Sequence, residues 1–311
     1  MNGEHHHHAP ASFGRAFAIG ISLNLGFVLV EAFYGWRAGS LALLADAAHN
    51  LSDVAGLLLA WVALGAAQLK PNRRHTYGWR RGSILASFIN AIVLLVAMGS
   101  LLWEAIQRLQ QPAAAIDAPT VMLVAGIGVL INSITAWLFV AGSRHDLNIR
   151  GAFLHMTADA LVSAGVVVAG ALYLWREWSW IDPAVSIGIA VAIIVGTWSL
   201  FRRSLHLLFD GVPEGIDIDR IHDRLLALPN VLAVHDLHVW AMSTTENALT
   251  AHLICEELAA NQTALLREAG AMLRDDYGIQ HATLQCESRD LADDCTINRE
   301  YCHGDDNQES R

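Results

Sequence analysis

With 311 residues, 54% hydrophobic side chains, only 16% charged ones and a mean hydropathy of +0.36, the chain is too apolar for an ordinary soluble protein of its length. Its formal charge of −10 goes with no nucleic-acid partner, and most of the chain is expected to sit in membrane lipid. The acidic excess falls from Asp210 onward, which points to a solvated end with a possible cation-handling role.

Residues 1–12 form a His-containing N-terminal tail. Its His5–His8 run reads equally as a flexible metal-collecting tract or as the remnant of a purification tag. Residues 13–208 are expected to form a transmembrane domain of six helices. The apolar stretches are Ala16–Tyr34, Leu41–Leu69, Ile84–Ile106, Val121–Val140, Ala152–Trp175 and Pro183–Phe201. Each reaches or approaches the roughly 20 residues that cross a hydrocarbon core. Arg15, Lys70, Arg73, Arg74, Arg80, Arg81, Arg144, Arg150, Arg202 and Arg203 fall on one side, and Arg37, Arg108 and Arg176 on the other. The positive-inside rule then puts both termini in the cytoplasm of a cell with this protein in its inner membrane. No cleavable secretion signal is expected ahead of the first span.

Apolar runs give way to alternating sequence at Asp210-Gly-Val-Pro213. Residues 209–290 are expected to form a cytoplasmic α/β domain. Ile218, Ile221, Leu225 and Leu228 recur at helical spacing and Pro229 stops the run. Val231–Met242 and Ala248–Cys255 read as strands, Ala260–Asp276 as a second helix and His281–Glu287 as a third strand. The order αββαβ suggests a small ferredoxin-like sandwich. Residues 291–311 are left as a flexible tail carrying Cys295, Cys302 and His303.

The chemistry is concentrated in two segments inside apolar helices, His49-Asn-Leu-Ser-Asp53 and His155-Met-Thr-Ala-Asp159. At a spacing of i and i+4, each imidazole and carboxylate share one helix face. The second and fifth spans run in opposite directions, so packing them together sets His49 level with Asp159 and Asp53 level with His155. Two nitrogens and two oxygens suit tetrahedral Zn²⁺. Each Asp at the bilayer centre costs roughly 2.5 to 3.5 kcal/mol even on the lenient insertion scale, so the same pattern twice is hard to ascribe to packing. An intramembrane metallohydrolase would need a general-base Glu that neither segment supplies. Because metal and protons compete for the same four groups, the site predicts Zn²⁺/H⁺ antiport in the export direction.

With His75-Thr-Tyr-Gly-Trp-Arg-Arg81 between the second and third spans and His235-Asp-Leu-His-Val-Trp240 in the acidic domain, the chain resembles the cation diffusion facilitator family over nearly its whole length. The resemblance implies a homodimeric, proton-coupled exporter of divalent metal whose cytoplasmic domains meet and bind further metal. His49 in the second span favours Zn²⁺, with Cd²⁺ or Co²⁺ as alternatives. The resemblance also implies metal positions at His235, His252 and Glu287, and an ion pair between Arg81 and Asp210 that joins the two halves. Some members complete the cytoplasmic site with tail cysteines, so for Cys295 and Cys302 ligand and free-thiol readings both stand. The loop site is weakened, since Trp79 stands where some members have a second His and Asn72 where an acid would be. His281 then remains as a partner for His75.

Cys255 and Cys286 lie on core-like strand faces and read as packed, reduced thiols. Asn24, Asn90 and Asn132 read as interhelical hydrogen-bond partners. Asp46 and Asp182, near outer helix ends, are expected to be partly solvated and to relay protons or attract the released cation. A metal-sensing membrane protein is the rival reading, opposed by the completeness of both His–Asp pairs.

Overall fold

The structure is a computed structural model that describes residues 13–67, 69–110, 116–140, 147–256 and 262–288. Six long helices come first: α1 (Phe13–Ala38), α2 (Leu41–Ala67), α3 (Gly82–Gln110), α4 (Ala118–Phe139), α5 (Leu147–Arg176) and α6 (Ile181–Leu208). Helix α7 (Ile218–Leu226), strands β1 (Val231–Ala241) and β2 (Asn247–Cys255), helix α8 (Gln262–Tyr277) and strand β3 (Ile279–Glu287) follow. The chain divides into two compact units, one of residues 1–59 and 89–201, the other of residues 60–88 and 202–311.

In the first unit the helices turn small and branched residues inward. Phe27, Ala42, Leu43, Ala45, Val124, Ala125 and Val166 are buried together, and Leu94, Met98 and Ala190 form a second cluster. The opposite faces carry exposed Leu29, Val93, Val96, Leu123, Leu161 and Val195. Apolar side chains on both faces are what a helix needs when its outer solvent is lipid. Among the described residues, four helical segments, Gly82–Gln110, Ala118–Trp137, Phe153–Arg176 and Ile181–Leu208, are long and apolar enough to cross a membrane. Trp36, Trp103, Trp175, Trp178 and Trp180 are exposed at the end of the bundle where α1, α3 and α5 finish and α6 begins. Indole rings favour the headgroup level in that way.

At that same end the α1–α2 turn is held from three directions. Gly39 adopts φ +69°, a left-handed conformation that a Cβ would strain. Arg108 Nη1 donates to the Gly39 carbonyl at 2.5 Å, and the Asp117 backbone N–H donates to the Ala38 carbonyl at 3.1 Å. Asp182, buried at the start of α6, accepts from Ser40 Oγ at 2.5 Å and from the Leu41 backbone N–H at 2.9 Å. It satisfies one of the orphan donors at the start of α2. The partly solvated site expected at Asp182 is therefore a dry helix anchor.

The second unit holds the sheet, ordered β1-β2-β3. Strands β1 and β2 form an antiparallel hairpin, and β2 passes through α8 to a parallel β3, the crossover that parallel pairing requires. Ile221 and Leu225 of α7 and Leu265, Ala269 and Leu273 of α8 pack on Val234, Val239, Leu249 and Leu253 of the sheet. The other sheet face carries Thr250, His252, Thr283, Gln285 and Glu287. The α/β order is the expected one, with edges displaced by a residue or two. Also in this unit, Ile84, Leu207 and Ala241 form a small cluster.

Replacing Asp182 by Ala should lower the stability of the detergent-solubilised protein by about 1.5 to 3 kcal/mol, the range for a hydrogen-bonded charged group. Asp182→Asn, which keeps one acceptor oxygen, should lose less. Thermal unfolding followed by far-UV circular dichroism would rank the three proteins, and equal midpoints would contradict the anchor.

Candidate metal centres

Helices α2 and α5 bring all four intramembrane donors together. His49 Nε2 lies 3.6 Å from Asp53 Oδ2 and 3.6 Å from Asp159 Oδ1. His155 Nε2 lies 3.1 Å from Asp53 Oδ2 and 3.6 Å from Asp159 Oδ2. The two imidazoles meet edge to face with centroids 5.8 Å apart. Each nitrogen thus has a carboxylate on its own helix and one on the facing helix. An ion bound at ~2.0 to 2.2 Å in a tetrahedron needs ligand atoms ~3.3 to 3.6 Å apart. Three of the nitrogen–oxygen separations, at 3.6 Å, lie at the upper end of that range and the fourth, at 3.1 Å, just below it. Exposure of these side chains falls from His155 at 41% and Asp53 at 34% to His49 at 22% and Asp159 at 4%. The quartet is open on its His155–Asp53 side and closed on its His49–Asp159 side.

Further polar groups surround the quartet. Ser163, one turn beyond Asp159, donates its hydroxyl to Asp46 Oδ2 at 2.7 Å, and Asn50 Nδ2 donates to Glu31 Oε2 of α1 at 3.3 Å. Ser52 Oγ donates to Asn90 Oδ1 of α3 at 3.4 Å. Asp46 is fully buried, not partly solvated. Of the three Asn residues read as interhelical partners, Asn90 takes that role, while the buried Asn132 Nδ2 has no hydrogen-bond partner among the described residues and the Asn24 side chain lies outside the description. Glu31 and Asn50 escaped the sequence reading. The available signal was a lone acid in an otherwise apolar run, which is expensive without a partner.

The second cluster lies on the sheet. His235 and His252 are cross-strand partners, with rings 5.1 Å apart at 84°. Glu287 of β3 reaches His235 Nε2 at 3.1 Å and His252 Nδ1 at 2.9 Å. Gln285 Nε2 donates to Glu287 Oε1 at 2.8 Å and fixes its orientation. His235 and Glu287 are buried, and His252 is half-buried. Asp236, with φ +50° at an irregularity in β1, sits 3.8 Å from His252 Nε2 and 2.9 Å from His238 Nε2. Strict alternation along the strand hides it, because the irregularity re-aims its side chain. Among the described residues, two groups offer one ligand atom from each residue at mutually close range, His49 with Asp53 and His155, and His235 with His252 and Glu287; Asp159 stands outside the first, facing His49 with Oδ1 and His155 with Oδ2.

The remaining candidates fall elsewhere. His75 stacks on Trp79 with centroids 4.2 Å apart, and His281 meets Tyr77 edge to face at 5.5 Å. Each of these histidines thus has an aromatic neighbour, and neither belongs to a metal-competent group among the described residues. Asn72 Oδ1 accepts from the backbone N–H groups of Arg74 and His75 at 2.9 and 2.8 Å, so the residue that replaces an acid shapes the loop. Arg81 and Asp210 form an ion pair within the second unit, flanked by Arg80 to Glu246 at 3.0 Å and the Thr244 backbone N–H to Ser83 Oγ at 3.1 Å. Cys295, Cys302 and the His5–His8 tract lie outside the described residues. Cys255 is buried, and burial together with the neighbouring Cys286 thiol pushes its own thiol up to about 11.

A bundle of long apolar helices joined to a small mixed sheet, with His and Asp donors gathered inside the bundle, defines a multi-pass membrane protein built around a polar site in its helices. Residues 17–209 match the cation efflux transmembrane domain and residues 213–289 the cation efflux protein cytoplasmic domain. The chain belongs to this cation efflux family of membrane transporters. It is 37% identical to the zinc transporter ZitB of Escherichia coli K12 over 285 residues, 91% of this chain and 90% of that protein. It is 34% identical to the cadmium, cobalt and zinc/H(+)-K(+) antiporter of Bacillus velezensis over 304 residues, 95% of each. The metal-bound C-terminal domain of the CzcD transporter from Cupriavidus metallidurans aligns over 23% of this chain and 99% of that one, at 33% identity and a TM-score of 0.22.

Two measurements check the assignments in the second unit. Asp210→Ala should reduce metal tolerance of cells, and the double exchange Arg81→Asp with Asp210→Arg should restore most of it. A double exchange no better than the single change would remove the pair's role, since coupling of neighbours is what such a cycle reads. The Cys255 thiol should stay protonated and resist iodoacetamide in the folded protein until the pH nears 11, and react at lower pH once unfolded.

Proposed function

We propose that the protein exports Zn²⁺ from the cytoplasm in exchange for protons, with Cd²⁺ and Co²⁺ as further cargo, by alternating access around His49, Asp53, His155 and Asp159. The observation that carries this reading is the meeting of two imidazoles and two carboxylates on facing helices, with nitrogen–oxygen separations of 3.1 to 3.6 Å. The names of relatives alignable over nine-tenths of the chain, a zinc transporter and a cadmium, cobalt and zinc antiporter, support the cargo.

The ligand chemistry supplies the coupling. Imidazole must be neutral and carboxylate ionised to hold Zn²⁺, so loading expels protons and protons entering from the far side expel the metal. In this reading the six long helices all cross the inner membrane, domain limits fall at residues 13–208 and 209–290, and both termini are cytoplasmic. His155 and Asp53 lie nearer the basic, cytoplasmic ends of α5 and α2 than their partners do. Their greater exposure supports a state loaded from the cytoplasm. The chain acts as a homodimer through its C-terminal domain. His235, His252 and Glu287 hold a further metal there, with Asp236 beside them and the tail residues Cys295 and Cys302 as additional donors.

Proteoliposomes loaded with a zinc-sensitive dye test the proposal. Zinc uptake into vesicles should accelerate when the lumen is made acidic, and Asp159→Ala should lower uptake at limiting zinc by at least the roughly 10- to 100-fold that loss of even an outer-shell partner costs a metal site. Uptake indifferent to the proton gradient would refute the coupling. Full activity in Asp159→Ala would refute the site.

A further inference from the structure

The described membrane helices bury two more acids against each other, apart from the quartet. Glu31 of α1 and Asp46 of α2 are both 0% exposed. One oxygen of each has a donor: Asn50 Nδ2 for Glu31 Oε2 at 3.3 Å, and Ser163 Oγ for Asp46 Oδ2 at 2.7 Å. Among the described residues the other two, Glu31 Oε1 and Asp46 Oδ1, have none, and the two carboxyl groups are within hydrogen-bonding reach of one another. Gly35, one turn after Glu31, permits the approach of α1 to α2. A Cβ there would come within 3.2 to 3.3 Å of the Leu44 side chain and backbone nitrogen.

Two ionised carboxylates facing each other in a dry bundle repel strongly. A single proton between them turns the repulsion into an O–H···O⁻ hydrogen bond and gives both orphan oxygens a partner. Asn50 and Ser163 each occupy one oxygen of a carboxyl and leave Glu31 Oε1 and Asp46 Oδ1 for a shared proton. His49 of α2 and Asp159 of α5 are further titratable groups whose charge acts on the pair.

We propose that Glu31 and Asp46 form a proton-binding site separate from the metal quartet, holding one proton between Glu31 Oε1 and Asp46 Oδ1 that takes part in the proton counterflow. The second half of the statement rests on the antiport reading. Asp46 precedes His49 by one helical turn, so a dication entering the quartet favours a second negative charge on the pair and releases its proton to water. When the dication leaves, the like charges recapture a proton from water.

Infrared difference spectroscopy of the full-length, zinc-free protein in lipid nanodiscs tests the site directly. Wild type should show a protonated carboxyl carbonyl band that shifts in D₂O, and Glu31→Gln and Asp46→Asn should each remove it. Glu31→Gln is close in shape and keeps an acceptor for Asn50, and size-exclusion chromatography confirms that each variant is folded. In proteoliposomes Glu31→Gln should still transport zinc while moving one proton fewer per zinc ion. Absence of the band in wild type overturns the pair. A band that Glu31→Gln leaves in place, or an unchanged proton-to-zinc ratio in that variant, overturns it too. Zinc flux indifferent to protons in wild type sinks the antiport reading instead, and the infrared band still decides whether the pair binds a proton.

Discussion

Charge buried in a lipid-facing bundle is the constraint that orders this protein. Glu31, Asp46, Asp159 and Asp182 are all buried within helices whose outer faces are apolar. In hydrocarbon each would cost several kcal/mol without a partner. The structure answers each one differently. Asp182 holds a helix start, Asp159 faces two imidazoles, Glu31 takes the amide of Asn50, and Asp46 takes the hydroxyl of Ser163. Small residues make these meetings possible. Gly35 admits Leu44, and Gly128 would, with a Cβ, crowd both Phe27 and Ser163 at 3.0 to 3.1 Å. Van der Waals approach and polar pairing therefore cooperate, as they must where no hydrophobic force joins helices.

The C-terminal domain solves a different problem. It has water outside, so its helices need bury only one face, and α7 and α8 do so against one side of a three-stranded sheet. The free side of that sheet becomes the place for polar chemistry. Register brings His235 and His252 opposite one another, and the parallel strand β3 places Glu287 beside Ile254, next to them. An irregularity in β1 then adds Asp236 to the same neighbourhood. Regular pairing sets most of this cluster, and one local departure completes it.

Legibility in the sequence followed the period of each signal. The helices could be read because apolar runs of span length are long compared with any ambiguity at their ends, and the αββαβ order because its alternation switches cleanly between periods. His49, Asp53, His155 and Asp159 could be paired because i and i+4 spacing fixes a face and antiparallel packing fixes the level. Single residues without a period were missed or misread. Glu31 had no motif around it, and Asp46 and Asp182 were taken for solvated groups because depth along a helix says nothing about lateral burial. Asp236 was hidden by a strand irregularity, and the contacts of His75 with Trp79 and of His281 with Tyr77 are aromatic neighbours that sequence spacing does not rank.

The quartet and the acid pair differ in a way that bears on coupling. In the proposed exchange, zinc and protons compete directly for the quartet, so there the two ions would exclude each other by occupying the same lone pairs. At the proposed acid pair no metal need arrive: a dication one helical turn away would change only the field, and the pair would respond by losing or gaining charge. A transporter with both would couple its ions twice, once through shared ligands and once through electrostatics at a distance. Because Ser163 hydrogen-bonds Asp46 from the same helix that carries His155 and Asp159, a shift of α5 relative to α2 would disturb both at once. One helix motion then reaches the metal and the proton together, which is what an exchanger needs to avoid carrying either ion alone.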